Sequence, residues 1–345
     1  MLSQNELGKI REFLEKSQNP LFFFDNDVDG LCSFLILQRA IKRGKGIPIK
    51  SFPELNSQYS HKIQEINPDC IFILDKPRVS VDFIKEADER NIPVIWIDHH
   101  NVQVSKDILE KVFYFNSLPS SEPTTYLCQK VFNNKEDIWL AMIGCIADVY
   151  MPEFAGEFSD KYPELFNPKI SAFDSLYTTE IGTIVRILNF GLMDKTTNVV
   201  SLMKFLINSK NPYDILNESP KTRQLHYRFR QLNRIYEKLL EKAEKTPKNK
   251  KLIFFEYSGQ ISMSSLIADA LYFKNKNKII IVAYKRSDKI NISIRGKSAK
   301  KITELTIKNI EGASGGGHEE ATGAMIPNDK LNVFKENLSE ILEKG

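Results

Sequence analysis

Short apolar runs recur along the first 120 residues, each followed by a segment with helical spacing. "PLFFFD" (20–25) precedes the amphipathic "GLCSFLILQRAIKRG" (30–44), and "GIPIKSFP" (46–53) reads as a short strand. "CIFILD" (70–75) precedes the helix-like "SVDFIKEADERN" (80–91), and "PVIWIDHH" (93–100) and "VFYFN" (112–116) complete the set. Apolar strands alternating with helices predict a parallel sheet covered on both faces, an α/β doubly wound layout. From Pro123 to Tyr150 the pattern turns helical, in "PTTYLCQKVF" and "DIWLAMIGCIADVY", and residues 151–219 continue mostly helical. "KTRQLHYRFRQLNRIYEKLLEKAEK" (221–245) reads as one long helix, and "TPKNKK" (246–251) breaks it. Beyond lie the strands "KLIFFEYS", "KIIIVAYK" and "INISIRG" around the helix-like "SSLIADALYFK", a second and smaller α/β domain. The expected organisation is a first domain over 1–195, a helical basic linker over 196–249 and a second domain over 250–345.

Composition changes this picture little: 42% of the 345 residues are hydrophobic and 27% charged, as in ordinary soluble domains. No run approaches the roughly 18–20 apolar residues that span a bilayer, so no membrane partner is expected. The polar, helix-patterned start does not read as a secretory signal, and the cytoplasm is the expected compartment. Cys32, Cys70, Cys128 and Cys145 are scattered, which argues against a zinc site or a disulfide framework. Charge is more telling. Residues 220–251 hold eleven Lys/Arg against three Glu, and residues 274–301 hold ten against Asp288 alone. A basic C-terminal half beside an acidic N-terminal half suggests a polyanion partner.

The candidate chemistry sits where the strands end. "FFFDNDVDG" brings Asp25, Asp27 and Asp29 after the first strand, Asp75 ends another, and Asp98-His99-His100 ends a third. In an open parallel sheet functional groups gather beyond the carboxyl ends of the strands. Asp148 stands alone in the apolar "MIGCIADVY", on what reads as a helix face, and needs a partner. Singly, Asp25 or Asp29 reads equally well as a turn or cap residue, and Asp75 as a plain strand end. Jointly, clustered carboxylates and histidines suit a transition metal such as manganese. Flanking carboxylates around a bridging one follow the plan of a two-metal hydrolase, with ions roughly 3.5–4 Å apart.

Four motifs in order, with "SGGGHEEATG" (314–323) downstream, resemble the DHH phosphoesterase superfamily with its C-terminal DHHA1 domain. Within it, "DNDVDG" looks like the DxDxDG of RecJ-type single-strand exonucleases, and the length is close to the compact archaeal RecJ-like nucleases. The resemblance implies an active site in the interdomain cleft. It implies that Asp25 binds one metal, Asp27 the other, that Asp75 bridges them, and that His99 and Asp148 complete the second site. Mn2+ is the expected cofactor, with Mg2+ as the alternative. Asp98 belongs with His100 to the catalytic group, where His100 orients the phosphate or the attacking water. Asp29, in the same group, supports the loop or the neighbouring ligands. Many members carry a His shortly before the first Asp; here Leu21 to Phe24 occupy that stretch, which weakens the first metal site. Gly315, Gly316, Gly317 and His318 match the family's phosphate-contacting GGGH, Arg295 is the expected phosphate clamp, and Ser262 and Ser264 add contacts at a helix start. The implied function is the exonucleolytic release of mononucleotides from single-stranded DNA or RNA, with replication or repair proteins as partners. The alternatives are a nanoRNase or cyclic-dinucleotide phosphodiesterase, and a non-catalytic replication scaffold.

Overall fold

The computed structural model describes residues 1–51, 54–247 and 251–344. The chain divides into two compact units, Met1–Phe229 and Arg230–Gly345. The boundary expected at 249/250, the middle of "TPKNKK" (248–250), and the Phe52–Pro53 end of "GIPIKSFP" lie outside the described residues.

The first unit is built on a five-stranded, all-parallel sheet. Its strands are β1 (Pro20–Asp25), β2 (Lys45–Ile49), β3 (Cys70–Leu74), β4 (Val94–Asp98) and β5 (Phe113–Asn116), in the order β2-β1-β3-β4-β5. The unbroken apolar runs follow from burial on both faces, and alternation along each strand sorts the side chains between two cores. Phe22, Phe24, Phe72, Leu74, Ile95 and Ile97 face one core; Leu21, Phe23, Ile71, Ile73, Val94 and Trp96 face the other. Register pairs Phe24 with Leu74 and Leu74 with Ile97, so β1, β3 and β4 end together.

The helices that matter for the site pack on the first core. They are α1 (Gln4–Lys16), α2 (Val28–Ile41), α3 (Thr124–Phe132), α4 (Ile138–Ala147), α5 (Glu180–Leu192) and α6 (Thr196–Asn208). Arg39 of α2 ties this layer down. Its Nε donates to Asp137 at 2.7 Å, and its Nη1 donates to the carbonyls of Leu206, Ile207 and Ser209 at the end of α6. These are the orphan carbonyls of a helix terminus, met here by a cation. The helix α7 (Arg223–Glu244) runs across the division between the units.

The second unit carries a mixed sheet of β6 (Leu252–Ser258), β7 (Ile279–Lys285), β8 (Lys289–Arg295), β9 (Ser314–Gly317) and β10 (Ala321–Pro327), in the order β9-β10-β8-β7-β6. Helix α8 (Ser264–Lys274) precedes β7, and α9 (Ala299–Ile307) and α10 (Leu331–Lys344) flank the apolar face formed by Ile281, Ile290, Ile292 and Ile294. Three consecutive glycines before His318 suggest a loop, and the structure differs. Gly315, Gly316 and Gly317 form an edge strand, paired with Ala324, Gly323 and Thr322. The ladder with β10 satisfies one side of this strand, and a Cβ at Gly317 would stand 2.6 Å from the carbonyl oxygen of Ala321. Among the described residues, no helix is long and apolar enough to cross a membrane.

Candidate metal centre

The common end of β1, β3 and β4 gathers the carboxylates. Asp25 is the last residue of β1, and Asp27 caps α2 through a hydrogen bond from the Gly30 amide, 2.9 Å. Gly30 has to be glycine: a Cβ there would sit 2.4 Å from the Asp25 carbonyl oxygen. Asp75 follows β3 in the left-handed region, φ 58°. A non-glycine residue there is strained, and such strain concentrates at functional sites.

Asp148 is not on a helix face, as its apolar surroundings in the sequence suggest. Helix α4 ends at Ala147, and Asp148 caps it, with Val149 left-handed at φ 58° just beyond. The reversal aims the Asp148 carboxylate back toward the strand ends.

His99 lies between two of these carboxylates. Its Nε2 is 3.3 Å from Asp75 Oδ1, and its Nδ1 is 3.6 Å from Asp148 Oδ2. Asp29, His99 and Asp148 offer ligand atoms within 4.8 Å of one another, as do Asp75, Asp98 and His100. Cis ligands around a small octahedral cation stand roughly 3 Å apart at metal–oxygen bonds of about 2.1 Å. The spacing and the chemistry of the donors therefore fit a divalent cation.

The charges ask for one as well. Burial, and the like charges of Asp29, Asp27, Asp148 and Asp25, push Asp75 well above the usual carboxylate range. Crowding by protein and the charges of Asp25 and Asp29 push Asp27 above the usual carboxylate range, to about 8 as an upper bound, because the residue is exposed to screening solvent. Burial lifts Asp148 to about 6 despite the opposing pull of His99 and His100. Each group resists ionising beside the others, and a bound cation reverses that cost.

Asp98, fully buried, is committed to His100: its carboxylate accepts from His100 Nδ1 at 2.7 Å and from the His100 amide at 3.2 Å. Burial works against a charged His100. The hydrogen bond and charge of Asp98, joined by Asp148 and Asp27, nevertheless raise it to about 9. Asp29 is committed too, accepting from the backbone amides of Thr124 (3.0 Å) and Thr125 (2.7 Å) at the start of α3. Thr124 Oγ1 donates to Asp75 Oδ1 at 3.2 Å.

The residue that sequence reasoning missed is Lys76. It is completely buried, and its Nζ donates to Asp25 Oδ1 and to the Ser51 carbonyl, both at 2.9 Å. The one available signal was a lysine directly after a strand-end Asp, which reads as an ordinary solvated residue.

The expected substrate residues lie in the second unit. The guanidinium of Arg295, expected as the phosphate clamp, is held by Asp269 and by the carbonyls of Ile294 and Thr322. Ser264 is buried against Ser293, 2.9 Å between hydroxyls, and Ser262 lies beside Tyr257. Gly315, Gly316, Gly317 and His318 are exposed, and the His318 amide donates to Ala321 within the hairpin.

A family model described as the DHH family, N-terminal domain, matches residues 21–150, and one described as the DHHA1 domain matches residues 250–344. No curated protein sequence matches the chain. Among solved structures, RecJ from Thermus thermophilus in complex with Mn2+ is similar, with TM-score 0.71 and 14% identity. The match covers 100% of this chain and 55% of that one, so the chain spans about half the length of that RecJ. The CDC45 of Entamoeba histolytica is similar at TM-score 0.54 and 12% identity, over 97% of this chain and 96% of that one. A pGpG-specific phosphodiesterase from Vibrio is similar at TM-score 0.52 and 15% identity, over 95% and 100%. At these identities the likeness is one of fold. With the two family models in sequence and a RecJ-like fold over its whole length, the chain belongs to the DHH/DHHA1 family of phosphoesterases.

Proposed function

We propose that the protein is a metal-dependent phosphodiesterase that shortens single-stranded nucleic acid from an end, with Asp27, Asp75, His99 and Asp148 as metal ligands. The observation that carries this reading is the His99 imidazole held between the Asp75 and Asp148 carboxylates, at 3.3 and 3.6 Å. A bound divalent ion such as Mn2+ supplies Lewis acidity and a water that loses its proton near neutral pH. The chain's own contribution is His100. Asp98 fixes its Nδ1 as the donor, so Nε2 is the nitrogen turned to the substrate, and the ring carries positive charge at neutral pH. It orients the scissile phosphate and steadies the charge gathered on it during displacement. A divalent ion held by Asp27 and Asp148 would cancel part of their field, and the hydrogen bond to Asp98 would then keep that proton in place.

The preference for a strand is supported by α7. Arg223, Tyr227, Arg230, Arg234, Lys238 and Lys242 recur at intervals of three or four residues and are all exposed. That is a predominantly cationic helix face, on which Glu237 and Glu241 also stand, with one exposed aromatic, suited to a phosphate backbone and a stacked base. Tyr236 and Phe229 do not join it: Tyr236 is buried and Phe229 packs on Phe190. A pocket for dinucleotides has no use for such a stripe. The Gly315–His318 hairpin and Arg295 are the second unit's proposed phosphate contacts, and the Arg295 contact requires release from Asp269.

The test is an oligonucleotide of about twenty residues, labelled at either end and incubated with Mn2+, beside a chelator and His99→Ala. Stepwise products lost in both controls support the reading, and the labelled end that shortens gives the polarity. Cleavage of dinucleotides alone would replace it with the small-substrate alternative. Inactivity on both, in folded protein, would leave the scaffold.

A further inference from the structure

The first of the two cation positions that the motif pattern implies is spoken for. Asp25 Oδ1 accepts from Lys76 Nζ at 2.9 Å and from the Asn26 amide at 2.9 Å. The ammonium has no access to solvent, and the Ser51 carbonyl takes a second of its protons. The backbone locks it there. Asp75 turns in the left-handed region immediately before it, and the Lys76 carbonyl accepts from Trp96 Nε1 at 2.9 Å within the core. A lysine buried this far is retained only when paired, because an isolated charge in the interior is prohibitively costly. The same pairing disfavours a second cation on Asp25: Oδ1 is taken by the ammonium, and a divalent ion on the remaining Oδ2 would be repelled by the positive charge next to it.

We infer that the Lys76 ammonium stands in for one of the two metals of the two-metal plan, and that this centre binds a single divalent ion on the side of Asp27, Asp75, His99 and Asp148. This inference rests on the proposed metal-dependent reading and refines it. It also explains why this chain manages without a histidine before Asp25. Leu21 to Phe24 are wholly buried strand residues there, and the positive charge arrives instead from the residue that follows β3 and Asp75.

Metal stoichiometry tests it without any appeal to activity. Full-length protein is dialysed against Mn2+ and the bound ion is counted by elemental analysis. The Mn2+ electron paramagnetic resonance spectrum is recorded for spin coupling between neighbouring ions. One ion per chain and no coupling is the expected result. Lys76→Met, which keeps length and removes charge, should take up a second, coupled ion. Asp25→Asn in the otherwise unchanged chain should alter Mn2+ affinity by less than about threefold, where loss of a true ligand or its support costs about 10–100-fold. Two coupled ions in the unchanged chain, or a tenfold loss in Asp25→Asn, would overturn the inference while leaving the metal-dependent reading intact. No bound ion in the unchanged chain would overturn both. If Lys76→Met does not fold, the stoichiometry of the unchanged chain and the Asp25→Asn affinity still decide.

Discussion

Asp29 has two incompatible descriptions in this site, and one substitution separates them. Its oxygens accept from the amides of Thr124 and Thr125, which makes it the anchor of α3. It also stands within ligand distance of His99 and Asp148, which would make it a metal ligand. As an anchor, it satisfies two buried donors at a helix N-terminus, where a negative charge gains further from the helix dipole. Asp29→Ala strands both donors, at about 1–3 kcal/mol each, and recovers part of this by relieving the crowd of like charges. The expected net cost is about 2–4 kcal/mol. In a unit of this size each kcal/mol moves the midpoint by about 2–4 °C, so the melting temperature should fall by roughly 4–16 °C. Asp29→Asn keeps a carbonyl acceptor for one amide and should lose about half as much. The assay is thermal unfolding by circular dichroism in chelator, paired with calorimetric Mn2+ titration of each variant. The anchor reasoning fails if Asp29→Ala costs less than about 1 kcal/mol. It fails equally if Asp29→Asn, at full stability, loses Mn2+ binding as completely as His99→Ala.

Other perturbations probe neighbouring links. His100→Gln should lower kcat on a single-stranded oligonucleotide by about 10²–10⁴-fold with KM little changed, as expected for a group acting on the reacting phosphate. Gly30→Ala should destabilise the first unit by about 1–3 kcal/mol in urea unfolding, because the new methyl meets the Asp25 backbone at 2.4 Å. A fully stable variant would mean that the approach is not tight. Asp27, raised to about 8, and Asp148, raised to about 6, hold protons in the folded chain at pH values where the unfolded chain has released them. Folding then takes up protons, so the chelated protein should lose stability as the pH rises from about 4 to 8, and Mn2+ should restore it most at the alkaline end. A thermal-unfolding series in which chelated stability rises over that range would contradict this electrostatic account of the centre.

The sheet was legible because parallel strands buried on both faces leave unbroken apolar runs, and a carboxylate that closes such a run stands out against it. Asp25, Asp75 and Asp98 could be aligned from that alone. Lys76 could not. Its partner is 51 residues earlier, and nothing local marks a lysine after a strand as buried. The end of α4 was misjudged because "GCIADVY" keeps its apolar character past Ala147, while the helix stops through a left-handed Val149 that composition does not announce. The glycines before His318 read as a loop because glycine favours turns, but β10 supplies a ladder that overrides the preference. Arg295 was identified as a cation at a strand end, yet its partner Asp269 lies on a helix whose packing no local pattern records.

The left-handed backbone at Asp75 and at Val149 sets the two positions on different courses under selection. Each conformation costs a side chain about 1–3 kcal/mol that glycine would not incur. Val149 is solvent-exposed, and a glycine there would relax the turn and leave every carboxylate in place. At Asp75 the same exchange would remove both the strained backbone and a buried charge, and with them a carboxylate that faces His99. A population screened only for heat resistance would therefore accept both changes, gaining a sturdier chain from each and losing the centre with the second.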